Sequence, residues 1–90
     1  MDYNEEENIA ALLEYVKSTY GAHYATDGGD QTIDAIFASG HGEGFCVGNI
    51  IKYASRYGKK NGKNRDDLMK IMHYTLLAMH VLEKEVDVSR

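Results

Sequence analysis

The chain contains no proline and no tryptophan, and its only cysteine is Cys46. A lone cysteine excludes an internal disulfide and a CxxC metal site. Without proline there is no proline-rich linker, and the helix stops fall to glycine. No apolar run approaches about 18 residues, which argues against a membrane-spanning helix. The opening MDYNEEEN is acidic where a secretory signal would be basic and then apolar, so a cytosolic protein is expected. β-Branched alternation is absent, which leaves helices as the predicted elements. The 90 residues fit one small domain of marginal stability.

Positive charge is scarce over most of the chain and concentrated in one block. The net charge is −4. Residues 1–48 hold nine acids and a single base, Lys17. Residues 49–70 reverse this, with seven bases against two acids. A short basic block inside an acidic chain points to a local anion site. A nucleic-acid binder would more often be basic over a whole face, so nucleic acid is not the expected partner.

Four helices are predicted. The first covers 5–20, with Asn4 and Glu7 as a capping box and Ile9, Leu12, Leu13, Val16 and Tyr20 at helical spacing. Gly21 is its expected stop. A loop with Gly28 and Gly29 follows, and Asp30 is expected to cap a short helix over 31–39 that buries Ile33, Ile36 and Phe37 and ends at Gly40. GHGEGF (40–45) reads as a glycine-rich turn. The third helix is expected from Cys46 to Tyr57, stopped by Gly58. After the polar, mobile-looking loop GKKNGKN, Asn64 and Asp67 are expected to cap a fourth helix from Arg65 to Val86. Its predicted inner face is Leu68, Ile71, Met72, Thr75, Met79, Leu82 and Val86. The fold class is therefore all-α, a small bundle of about four helices.

On the third helix, Asn49, Lys52 and Arg56 fall within about 60° of one another. Val47, Ile50, Ile51, Ala54 and Tyr57 make the opposite, apolar face. No acid stands at i±3 or i±4 to balance Lys52 or Arg56. Gly48 costs about 1 kcal/mol against alanine in a helix and suggests close approach of a ligand or another helix. The fourth helix repeats the spacing with Asp67, Lys70 and Tyr74. An antiparallel pair would bring the two polar ridges to one cleft. A merely solvated helix face is the competing reading, as it is for Lys59 and Lys60 in the loop.

No P-loop is present: Gly58-Lys59 is followed by Lys60, no glycine stands five residues earlier and no strand precedes it. His73 and His80 lie on one helix without further zinc ligands, and no HExxH exists. Cys46, between Phe45 and Val47, reads as a small buried hydrophobe rather than a nucleophile. The tyrosines at 15, 20, 53 and 57 read as core or interface.

His23-Tyr24, then Ile33-Asp34, then GNIIKYASRYGKK (48–60), then DLMK (67–70) stand in an order that resembles the SaV-like family of small phage proteins. That family includes the nucleotide kinase of T7-like phages. The pattern G-N-x-x-K-Y-x-x-R-x-G-K-K is matched at all its fixed positions, and Ile71 departs from the alanine usual in D-L-x-K-A-x-x-Y. The resemblance covers about residues 22–75. It implies phosphorylation of deoxynucleoside monophosphates to diphosphates, with a nucleoside triphosphate as donor, in the cytoplasm of the infected host cell.

On that reading Lys52 and Arg56 hold phosphates, and Asn49 bonds a phosphate or a base edge. Lys59 and Lys60 close over the donor. Asp34 orients an attacking oxygen, binds a metal or pairs with Arg56. His23 or Tyr24 stacks on a base, and Asp67 and Lys70 are further candidates for substrate binding. Mg²⁺ is compatible with the reaction but has no motif here. So small a bundle has little material to enclose two nucleotides, which predicts a homo-oligomer with its site near a subunit interface, contacted through Leu77 and Val81. Two rivals are a non-catalytic nucleotide- or nucleic-acid-binding module and an all-α nucleotide pyrophosphohydrolase. The second would need paired carboxylates around Mg²⁺, and the acids at 5, 6, 7 and 14 do not form the required E-x-x-E and E-x-x-D pairs.

Overall fold

Helix is dictated nearly everywhere by composition, and helix is what a computed structural model of the chain contains. It describes residues 3–20 and 29–89, with side chains over 3–20 and 32–85. The elements are α1 (Glu5–Thr19), α2 (Gly29–Ala38), α3 (Gly42–Arg56) and α4 (Arg65–Ser89). The protein is all-α, with no strand among the described residues. It divides into two compact units, residues 1–34 and 35–90.

In the first unit, α1 starts where predicted but without the predicted capping box. Asn4 adopts a left-handed conformation (φ 61°) and its side chain caps nothing. The Tyr3 N–H instead donates to Glu5 Oε1 at 2.9 Å. No residue of α1 is fully buried: Leu12 and Val16 are half-buried, whereas Ile9, Leu13 and Tyr20 are exposed. α2 begins at Gly29, so Asp30 lies inside the helix and not at its cap. Gly21 and Gly28 lie outside the described residues.

The second unit is organised by one antiparallel helix pair. α2 enters it and stops at Gly40, whose φ of +89° suits only glycine. The N–H groups of Gly40 and His41 return to Phe37 O and Ile36 O, both at 3.1 Å, a Schellman-type ending. The chain then restarts at once. The GHGEGF segment is not a free turn, because α3 already runs from Gly42, with the Phe45 N–H on His41 O at 3.0 Å. Tertiary packing explains it. A Cβ on Gly42 would lie 3.0 Å from both Phe37 Cδ1 and Val81 Cγ2, so glycine lets α2, α3 and α4 meet there. Gly48 has no such role, since a Cβ on it would meet nothing.

Between α3 and α4 the chain makes a hydrogen-bonded turn. Gly58 N–H donates to Gly62 O and Lys59 N–H to Arg56 O, both at 3.0 Å. Gly58, Asn61 and Gly62 all take positive φ. Asn64 caps α4 as predicted, its Oδ1 accepting the Asp66 N–H at 2.9 Å. Asp67 does not complete a capping box; its side chain is buried against α3.

The facing sides of α3 and α4 differ from the predicted apolar stripes. α3 turns Gly42, Phe45, Cys46, Asn49, Tyr53 and Arg56 inward; of the predicted apolar face Ile50 and Tyr57 are half-buried, while Val47, Ile51 and Ala54 are exposed. α4 buries Asp67, Met69 and His73 and half-buries Lys70, Tyr74, Leu77 and Val81. Of the stripe predicted as its inner face, Ile71 and Met72 are half-buried, but Leu68, Met79 and Leu82 are 41%, 53% and 59% exposed, and Thr75 is exposed as well. The side chain of Val86 lies outside the described residues. Leu77 and Val81, the expected subunit contacts, are half-buried, and Val81 packs at Gly42. Among the described residues the buried hydrophobic side chains are Cys46 and Met69, and burial raises the Cys46 thiol pKa, so it is an inert core group.

Candidate functional site: a cationic cluster on the α3–α4 pair

Polar residues spaced i, i+3 and i+7 fall on one side of a helix, and two such ridges meet if the helices pack against each other. The structure brings them together. Arg56 Nε of α3 lies 3.7 Å from Asp67 Oδ1 of α4. Lys52 Nζ is 5.1 Å from the centroid of the Tyr53 ring, Lys70 Nζ is 5.6 Å and Arg56 Cζ is 6.0 Å. Three cations from two helices thus surround one aromatic ring. Tyr53 in turn stacks on Tyr74 of α4, with centroids 6.1 Å apart and planes 11° apart. Phe45 meets Tyr74 edge-on at 5.7 Å.

The expected lack of a counter-charge is half right. Lys52 and Lys70 make no ion pair among the described residues, but Arg56 has Asp67, an acid 11 residues away in sequence that no helical-neighbour rule would find. Three cations and one carboxylate leave two positive charges. Cation–π attraction offsets their mutual repulsion only in part, at about 0.5–1 kcal/mol each near the surface. An arriving anion would relieve the remainder.

The other expected residues are distributed as follows. Asn49 is half-buried and its Nδ2 donates to Phe45 O at 2.9 Å, so one of its two amide donors is spent on its own helix. Lys59 and Lys60 are exposed on the turn beyond α3. Asp34 is exposed on α2, in the 1–34 unit, whereas the ion partner of Arg56 is Asp67 in the 35–90 unit. His23 and Tyr24 lie outside the described residues. Sequence reasoning put Tyr74 on the polar ridge with Asp67 and Lys70 but read Tyr53 as core or interface, and so missed it as the centre of the cluster.

Two further features of this unit lie away from the cluster. A cavity of about 540 Å³ is lined by Phe37, Gly42, Glu43, His80, Val81 and Lys84 among others, with His80 stacked on Phe37 at 6.1 Å. Ten residues along α3 separate Gly42 from Lys52, about 15 Å at the helical rise, so it is not part of the cationic site. His73 is buried on α4, and desolvation lowers its pKa below the ordinary 6.5. The native state therefore prefers the neutral ring, and the unfolded chain binds the extra proton. Stability from this residue is complete above about pH 6.5 and is lost as pH falls below it towards the depressed native value. Urea midpoints measured down from pH 7.5 are expected to fall through that window, and His73→Gln is expected to flatten the slope there. Equal slopes in both proteins would refute the assignment.

No group of three or more His, Cys, Asp or Glu among the described residues could hold a metal ion. No described helix is long and apolar enough to cross a membrane.

No curated protein and no solved structure matches the chain. One family does, described as a protein of unknown function (DUF3310), over residues 16–75. The matched segment is two thirds of the chain and contains every residue of the cationic cluster, from Lys52 to Tyr74. The chain belongs to the DUF3310 family.

Proposed function

We propose that this protein binds nucleotides by their phosphates at Lys52, Arg56 and Lys70, and transfers the terminal phosphoryl group of a nucleoside triphosphate to a deoxynucleoside monophosphate. The observation that carries the phosphate reading is the convergence of these three cations on Tyr53 with one buried carboxylate behind them. The phosphotransferase reading rests in addition on the resemblance of GNIIKYASRYGKK and DLMK to the phage family that includes a nucleotide kinase.

The chemistry asks for little beyond what the cluster offers. An oxygen of the monophosphate attacks the γ-phosphorus, the bond from that phosphorus to the bridging oxygen breaks, and the diphosphate leaves with the electron pair. A phosphate monoester is largely dianionic at neutral pH, since its second pKa is about 6, so the attacking oxygen needs no catalytic base. What the reaction needs is in-line placement and positive charge around the transferring group. Arg56 supplies a planar fork for two phosphate oxygens, and Lys52 and Lys70 supply point charges. Lys59 and Lys60 add charge at the end of α3. A protein-held magnesium does not fit, because the single carboxylate in the cluster, Asp67, is buried and faces Arg56. A metal would arrive on the triphosphate.

Self-association is part of this reading. The open stripe of Leu68, Met79 and Leu82 on α4 is the contact surface expected, in place of Leu77 and Val81. Leu82→Glu is expected to reduce the molar mass measured by light scattering, and an unchanged monomeric mass in the wild type would remove this element. The central test is transfer of radiolabelled γ-phosphate from a nucleoside triphosphate to each of the four deoxynucleoside monophosphates. Nucleotide binding without product would favour the binding-module reading, and release of pyrophosphate would favour hydrolysis.

A further inference from the structure

We infer that Asp67 is a positioning residue that holds Arg56 in place for its phosphate ligand, an inference that rests on the phosphate reading above. The side chain of Asp67 is 5% exposed and that of Arg56 31% exposed. Their closest approach, Nε to Oδ1, is 3.7 Å. Charge-assisted hydrogen bonds are shorter, about 2.7–2.9 Å. Consistent with that, Arg56 Nε and Asp67 Oδ2 are both buried without a hydrogen-bond partner among the described residues.

A buried carboxylate without hydrogen bonds is costly in stability, and an apolar residue would pack there more cheaply. The arrangement is intelligible as an anchor. Asp67 sits in the first turn of α4, where the Asp67 N–H donates to Asn64 O at 3.1 Å, so its backbone is fixed. From there the carboxylate attracts the guanidinium from the inner side. The guanidinium stands 6.0 Å from the Tyr53 ring, in the company of Lys52 and Lys70. Asp67 touches no ligand itself; it restricts the swing of the long arginine side chain, whose rotamer freedom would otherwise be lost on binding.

The inference has a sign that separates it from the simpler alternative. If Asp67 were only a counter-charge, neutralising it would raise the local positive potential and tighten anion binding. If it positions Arg56, neutralising it weakens binding although a repulsive charge has gone. The experiment is isothermal titration of the full chain with inorganic pyrophosphate, for wild type, Asp67→Asn, Arg56→Gln and the double variant. Weakening of about tenfold or more is expected for Asp67→Asn. No further weakening is expected when the same change is made in the Arg56→Gln protein, because the residue acts through the arginine. Tighter or unchanged binding in Asp67→Asn would overturn the inference, as would equal weakening in both backgrounds. Should Asp67→Asn fail to fold, Asp67→Glu keeps the charge and displaces it, and must also weaken binding for the inference to stand. Wild type that ignores pyrophosphate would overturn the phosphate reading itself. Wild-type binding that Lys52→Ala weakens but Asp67→Asn strengthens would overturn the positioning role alone.

Discussion

Lys52→Ala and Arg56→Ala are each expected to lower kcat/KM for phosphoryl transfer by about 100-fold or more, the range found when one preorganised charged donor is removed from a site that stabilises developing charge. The two variants should differ in how they fail. Lys52 is exposed and has no ion partner among the described residues, so its removal leaves the fold intact and the loss is one of chemistry. Arg56→Ala also strands Asp67, whose side chain is buried, and breaking such a pair from one side costs about 3–5 kcal/mol. Its lost activity must therefore be read beside its melting temperature. Arg56→Lys separates the two effects. It keeps the charge beside Asp67 and should recover most of the stability, but a point charge does not replace a bidentate fork and activity should recover only in part. Wild-type rates in Lys52→Ala and Arg56→Lys together would show that phosphates are handled elsewhere.

The site and the fold were legible in the sequence to different depths. Helix boundaries were readable where a side chain or a glycine sets them locally: Asn64 before α4, Gly40 after α2 and Gly58 after α3. They were misread where tertiary contact decides. Gly42 and Gly44 suggest a turn by propensity, but Gly42 is needed inside α3 because Phe37 and Val81 occupy the space of a side chain. The larger error concerned which way the helices face. A rule that sends polar residues outward put Asn49 and Arg56 on the solvent side of α3. Both lie at the α3–α4 contact, where Asn49 bonds back to Phe45 O and Arg56 meets Asp67. Buried polar groups are admissible when partnered, and the partner of Arg56 comes from another helix, beyond the reach of any periodicity count. The same effect explains why Leu68, Met79 and Leu82 were assigned inward and stand outward, while Ile71 and Met72 of the same stripe are half-buried. The meeting of the two ridges was nonetheless predictable, because i, i+3, i+7 spacing on α3 and the matching spacing on α4 survive rotation of each helix as a block. What no spacing could show was the ring at the centre, since a tyrosine beside a lysine in sequence reads equally well as core.

The ring stacked on Tyr53 gives the second large effect. Tyr74 joins the helices through aromatic contact, stacked on Tyr53 at 6.1 Å and touched edge-on by Phe45 at 5.7 Å. Few other contacts can replace it, because Cys46 and Met69 are the buried hydrophobic residues among those described, and neither presents a large planar surface. Tyr74→Ala removes the ring and leaves a void at the contact, which for a half-buried aromatic costs about 3 kcal/mol. In a chain of this length that corresponds to a melting temperature lower by roughly 12–24 °C, measurable by circular dichroism. Tyr74→Phe keeps the ring and should recover most of the loss, whereas Tyr74→Leu, apolar but not planar, should recover less. A drop of only a few degrees in Tyr74→Ala would mean that the helix pair is held by something other than these rings. Where the alanine variant is still folded in the cold, pyrophosphate binding should also be weaker than in wild type. Tyr53 would then have lost the surface it stacks on, and with it the fixed position around which Lys52, Arg56 and Lys70 gather. On the phosphate reading, stability and anion affinity would be coupled through one aromatic pair, and the leucine variant tests the coupling. If planarity matters only for packing, Tyr74→Leu restores both together; if it sets the orientation of Tyr53, stability returns further than affinity.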